Sequence, residues 1–152
     1  MTTLIPAGFV IERRYDASPE RIFACYSSAK EKLAWLACHS NWAYSIFEFR
    51  EGGREVGGDP TESPAYVFEG VYHQIIPNRR IAYAYRMTRD GVFFASSVTS
   101  IELEPVDGGT KLTFSEQSLF TDGPDTPAMR EEGTNWGLDQ LNDHLETLKE
   151  KA

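Results

Sequence analysis

The sequence predicts an α+β fold in which an antiparallel sheet of about seven strands carries a long C-terminal helix across one face. Three observations lead there. The middle of the chain is a succession of apolar-alternating segments, each broken by Gly, Pro, Asn or Asp. Two short helical patterns separate an N-terminal strand from that region, and a leucine stripe at helical spacing ends the chain. With 152 residues, 41% of them hydrophobic and 12% aromatic, the chain fits one domain that buries roughly 70% of its unfolded surface without a metal or disulfide staple.

In "GFVIERRY", Phe9, Ile11 and Arg13 alternate with Val10, Glu12 and Arg14, which is strand periodicity. "DASPERIFACYSS" changes period: Ser18 suits an N-cap, Pro19 the first helical position, and Ile22, Phe23 and Tyr26 recur at helical spacing. A second short helix is expected over 29–36. From Trp42 to about Leu119, six segments read as a meander: "WAYSIFEFR", "REVGG", "AYVFEGVYHQIIP", "NRRIAYAYRM", "VFFASSVTSIELE" and "TKLTFSEQSLF". The cleanest alternation sets Ile81, Tyr83, Tyr85 and Met87 against Arg80, Ala82, Ala84 and Arg86, so one face is buried. In the last segment Asp125 or Thr126 caps a helix with Pro127 just inside, and Leu138, Leu141, Leu145 and Leu148 form its apolar stripe. Gly133 and Gly137 interrupt that helix on one face, either as a bend or close packing, or as space left beside Trp136 for a ligand.

A net charge of -8 argues against nucleic-acid binding, which needs clustered Lys and Arg. Arg13-Arg14 and Arg79-Arg80 are the only basic pairs, and neighbours on a strand point to opposite faces. No run approaches the about 18 apolar residues of a membrane span, and "MTTLIPAGF" lacks the basic and apolar regions of a signal peptide. A cytoplasmic location is therefore expected, with Cys25 and Cys38 as small buried hydrophobes.

"FREGGREVGGDP" raises the question of a phosphate loop. Gly52 to Gly57 and Gly53 to Gly58 have the outer glycine spacing, but Asp59 and Pro60 follow where Lys and Ser or Thr would be needed. The glycines are expected to make two tight turns of a hairpin, the second leading into a loop over 57–64. No cofactor or metal is expected: His39, His73 and His144 stand apart, and the cysteines have no ligand spacing.

Glu116 shares a strand face with Thr110, Leu112 and Phe114, so alternation sends its carboxylate toward the core. There it is a general acid or base, a holder of a polar ligand group, or a structural partner of an arginine; at a frayed strand end it is solvated instead. His73 lies in a strand that is apolar on both faces, which leaves its direction open.

"DASPERIFACYSSAKEKLAWL", "FEFREGGRE", "GVYHQIIPNRRIAYAY", "SIELEPVDGGTKLTFSEQ" and "REEGTNWGLDQLNDHLE" together resemble, in order and distance, the family named for the activator of heat-shock protein 90 ATPase, within the START and birch-pollen-allergen-like superfamily. That resemblance implies the helix-grip fold, a curved sheet wrapped around the long C-terminal helix with an elongated apolar cavity between them. It also implies binding of a small apolar or amphipathic ligand, or a chaperone partner. Co-chaperones of the family carry an additional N-terminal domain for which 152 residues are expected to leave no room.

In such a cavity Trp35, Phe49, Tyr83, Tyr85, Phe114 and Trp136 are the expected aromatic wall, with Met129 beside them, Glu116 orienting a polar group and the 57–64 loop bordering the mouth. Three functions stand: a ligand-binding protein; an interaction module for a chaperone; and a cyclase or dehydratase using Glu116, with or without His73, as acid and base. A homodimer is left open.

Overall fold

Ser18 and Ser28 each end an extended stretch and turn the chain into a helix. Their hydroxyls accept hydrogen bonds from the Arg21 and Glu31 backbone N–H groups at 3.2 and 3.1 Å, satisfying donors that a helix start leaves unpaired. In the computed structural model, which describes residues 3–37 and 40–150, these caps open α1 (Pro19–Tyr26) and α2 (Ala29–Leu36). Cys38 and His39 lie outside the described residues.

The alternating segments form β1 (Ile5–Tyr15), β2 (Ala43–Phe47), β3 (Arg54–Gly58), β4 (Tyr66–Ile76), β5 (Arg80–Arg89), β6 (Val92–Val106) and β7 (Gly109–Phe120). They make one antiparallel sheet in the order β1-β7-β6-β5-β4-β3-β2, so the first strand closes against the last. Asp90 and Gly91, with φ of 50° and 79°, turn β5 into β6, a left-handed pair that matches strand twist. The second glycine pair behaves differently from expectation. Gly57 and Gly58 lie inside β3, paired with Phe68 and Val67. A Cβ on Gly57 would come within 2.7 Å of the Trp42 indole nitrogen and 2.8 Å of the Tyr44 ring. That glycine keeps room for two aromatic side chains.

α3 (Pro127–Glu150) begins where Thr126 Oγ1 accepts from the Met129 N–H at 3.2 Å. Its buried residues Leu138, Leu141 and Leu145 pack on Ile22 of α1 and on Ile101, Leu103 and Leu112 of the sheet within one core. Each such side chain contributes about 1.5–3 kcal/mol by leaving water. The register against β1 is held by Tyr15, whose hydroxyl donates to Leu138 O at 2.9 Å, and by Arg13, which reaches Asp139 at 2.7 Å. This is the helix-grip arrangement that the resemblance implied, α+β with a seven-stranded sheet. None of its described helices is long and apolar enough to cross a membrane.

Candidate functional site

A partly open cavity of about 310 Å³ lies between the inner face of the sheet and α3, with α2 at one end. It exists because α3 presents Arg130, Gly133, Thr134 and Gly137 to the sheet before the leucine stripe begins. Nothing lies within 4 Å of where a Gly133 Cβ would be, and a Gly137 Cβ would only touch Leu36 Cδ1 at 3.5 Å. The glycines thus leave space where larger residues would close the core, and that space is the cavity. Its floor is aromatic: the Phe68 and Tyr85 rings stack at 4.5 Å, and Tyr83 tilts against both.

Two buried ion pairs line the cavity. On β7, residues 110, 112, 114, 116, 118 and 120 alternate inward, which carries Glu116 to 2% exposure. Glu116 Oε1 accepts from the Tyr85 and Thr99 hydroxyls, each at 2.8 Å, and Oε2 from Arg130 Nη1 at 3.2 Å and Ser118 Oγ at 3.4 Å. Arg130 Nη1 also reaches Ser97 Oγ at 3.1 Å, and its guanidinium lies over the Tyr85 and Phe120 rings. Burial first, then the Glu116 charge, pushes the Tyr85 hydroxyl far above its ordinary value, so it stays protonated and donates.

The second pair joins α2 to β3. Lys32 Nζ donates to both Glu55 oxygens, at 2.9 and 3.0 Å, while the Tyr72 hydroxyl also donates to Glu55 Oε1. Lys32 is ringed by Tyr26, Phe47 and Tyr83, 5.9–6.0 Å from their centroids, distances at which a cation gains from the ring faces. Beside this pair, Trp42 lines the cavity with its indole N–H buried and held only by a loose contact with the Tyr44 hydroxyl. A buried donor so loosely satisfied gains from an incoming acceptor of better geometry.

Of the residues expected at the site, Trp35, Tyr83, Tyr85, Phe114, Glu116 and Met129 line the cavity, Met129 as a half-exposed rim residue. Three do not. Phe49 lies beyond the end of β2 and packs edge-on to Phe23 and Tyr72. Trp136 is 43% exposed and absent from the wall, because it stands about 100° round the helix from Gly137. His73 sits at a register shift between Tyr72 and Gln74 and is exposed on the outer face, opposite to Glu116. A mechanism pairing Glu116 with His73 is excluded by that placement. The 57–64 loop contributes no side chain to the wall either.

Arg130, Lys32, Glu55, Trp42 and Tyr44, with Phe68 of the floor, are among the lining residues that sequence reasoning missed. Arg130 had a signal, since it precedes Gly133, Thr134 and Gly137 by the three, four and seven residues of one helix face. Glu55 had a weaker one, in phase with Gly57 on a short strand. His144, which stands apart from the other histidines in the sequence, has a side chain 15% exposed that faces Glu31 of α2.

Fold and cavity together define a helix-grip protein with an aromatic chamber carrying two internally neutralised charge pairs. A match to the family "Activator of Hsp90 ATPase homolog 1-like protein" spans residues 16–148. The chain belongs to that family. A solved structure of an uncharacterized protein from Rhizobium leguminosarum is 36% identical, with a TM-score of 0.89 over 97% of this chain and 99% of that one. The Mll3558 protein from Rhizobium loti is similar at 34% identity and TM-score 0.85, over 93% and 98% of the two chains. A protein of unknown function from Staphylococcus aureus, 17% identical over 97% and 98% of the chains, shares the fold with a TM-score of 0.78. No curated protein matches.

Proposed function

We propose that the protein binds one small, uncharged, amphipathic molecule in the cavity between the sheet and α3. The observation that carries this reading is the pairing of both buried carboxylates. Glu116 is neutralised by Arg130 and Glu55 by Lys32, so a charged ligand would enter with no free counterion and lose its hydration. An uncharged ring system instead gains the Phe68, Tyr83 and Tyr85 surfaces, and an acceptor on it meets the loosely held Trp42 N–H. Glu116 then acts as a fixed anchor for Tyr85 and Arg130, with both oxygens already engaged, which favours binding over acid–base catalysis.

A matched pair of probes tests this. N-phenyl-1-naphthylamine and 8-anilino-1-naphthalenesulfonate differ in the sulfonate, and titration of each is followed by fluorescence. The uncharged probe is expected to bind one-to-one and at least about tenfold more tightly, a difference of about 1.4 kcal/mol. Equal or reversed affinities would sink the uncharged-ligand reading. Native mass spectrometry of freshly purified protein identifies any molecule that co-purifies.

A second reading, an interaction module for a chaperone, has one observation in its favour. Val10 and Val98 flank β7 on the outer face and are 63% and 61% exposed. Purified Hsp90 whose ATPase rate is unchanged by the protein would remove it.

A further inference from the structure

We propose that Cys25, Glu31 and His144 form a zinc site at the junction of α1, α2 and α3, outside the cavity wall and independent of the ligand reading. One ligand atom from each, Sγ, a carboxylate oxygen and an imidazole nitrogen, lies within 4.8 Å of the other two. His144 Nε2 is buried and makes no hydrogen bond. Its contact with Glu31 Oε2, at 3.9 Å, is too long to be one. A buried nitrogen in that state is costly, and a metal ion is a partner that imidazole takes readily.

Three rigid elements hold the donors. Cys25 is 1% exposed, and its carbonyl accepts from Trp35 Nε1 at 3.0 Å, tying the end of α1 to α2. Glu31 is fixed in the first turn of α2 by the Ser28 cap. His144 comes from α3, one residue before buried Leu145. Distance in sequence hides the cluster from any spacing rule.

The donor set selects the metal. Thiolate, imidazole and carboxylate together suit zinc, whereas calcium and magnesium take oxygen ligands. Around tetrahedral zinc, ligand atoms stand about 3.3–3.6 Å apart. The cluster therefore has to contract by about an ångström, and the Glu31 side chain, 42% exposed, is free to supply it. On binding, the Cys25 S–H bond breaks, its proton passes to solvent, and the sulfur lone pair binds the ion. No electron is transferred, and a fourth coordination position is left for water.

The test uses the full chain after chelation, titrated with Zn2+ by calorimetry and with Co2+ by absorbance. One equivalent of Zn2+ is expected, and the Co2+ complex should show a thiolate-to-metal charge-transfer band. Cys25→Ser should abolish that band, and Cys25→Ser, His144→Gln and Glu31→Gln should each weaken Zn2+ binding by at least about tenfold. Glu31→Gln changes a half-exposed side chain and keeps the test valid if a core variant fails to fold, which circular dichroism reports. The site is refuted if Zn2+ does not saturate, or if folded Glu31→Gln binds Zn2+ as tightly as the parent. The three residues are then a buried thiol beside a His144–Glu31 contact.

Discussion

Arg130 Nη1 lies 3.2 Å from Glu116 Oε2, joining the first turn of α3 to the middle of β7 at one end of the cavity. A cation at the N-terminus of a helix opposes the helix dipole, so the helix itself gains nothing from an arginine there. Its position is explained by the carboxylate that it neutralises. Arg130→Met should destabilise the protein by about 3 kcal/mol, the lower end of the range for breaking a buried pair, because the arginine side chain keeps 15% exposure. Urea unfolding measures this; a loss below about 0.5 kcal/mol would show that water already solvates Glu116.

Lys32 and Glu55 allow a sharper version of the same argument, since both side chains are at most 10% exposed. Lys32→Met alone leaves the Glu55 charge buried with only the neutral Tyr72 and Tyr44 hydroxyls beside it, and should cost about 3–5 kcal/mol. Adding Glu55→Gln should recover most of that loss, because the amide keeps an oxygen for Tyr72 without the charge. Additive losses in the double variant would mean that the two side chains act separately.

Gly133 separates cavity from helix stability. Gly133→Ala should stabilise α3 by about 1 kcal/mol, there being open space at its Cβ position. Gly133→Phe should fill the chamber and abolish binding of N-phenyl-1-naphthylamine while the thermal midpoint stays near that of the parent. Undiminished probe binding would place the probe elsewhere.

Alkaline pH should destabilise the fold. Burial, followed by the Glu31 carboxylate, pushes the Cys25 thiol up from 9.0 to about 11, so the native state holds that proton more tightly than the unfolded chain. The contribution is whole below about pH 9 and is lost as pH rises through about 11. Tyr26 and Tyr83, raised chiefly by burial, act in the same direction at higher pH. Unfolding midpoints in chelated buffer between about pH 8 and 11 should fall, and Cys25→Ser should flatten the early part of that decline. A parent whose midpoint is flat up to about pH 11 contradicts the assignment.

Periodicity and caps made the architecture legible: the serine caps, the Asp90-Gly91 turn and the leucine stripe are local signals, and they place the elements. Glu116 was legible for the same reason, since strand parity is local and the strand is regular. What failed was where local rules break or elements cross. The register shift at β4 turns His73 outward, a direction that the sequence left open. Phe49 lies past the turn that begins where Glu48 N–H bonds to Arg54 O, so strand parity no longer governs it. Lys32 and Glu55 meet only because α2 is carried over β3, a relationship that no spacing within either segment encodes.

The pairing of β1 with β7 also has a kinetic consequence. Ile5 to Tyr15 find their partners only in residues 110–120, so β1, synthesised before β2 to β7, waits for about a hundred further residues before it can join the sheet. Until then its edge and the lower part of α3's binding surface stay open. Closing so large a loop is entropically slow. The protein should accordingly fold late and all at once, with β1 docking coupled to the arrival of β7, and refolding should be slower than for a helical bundle of the same length.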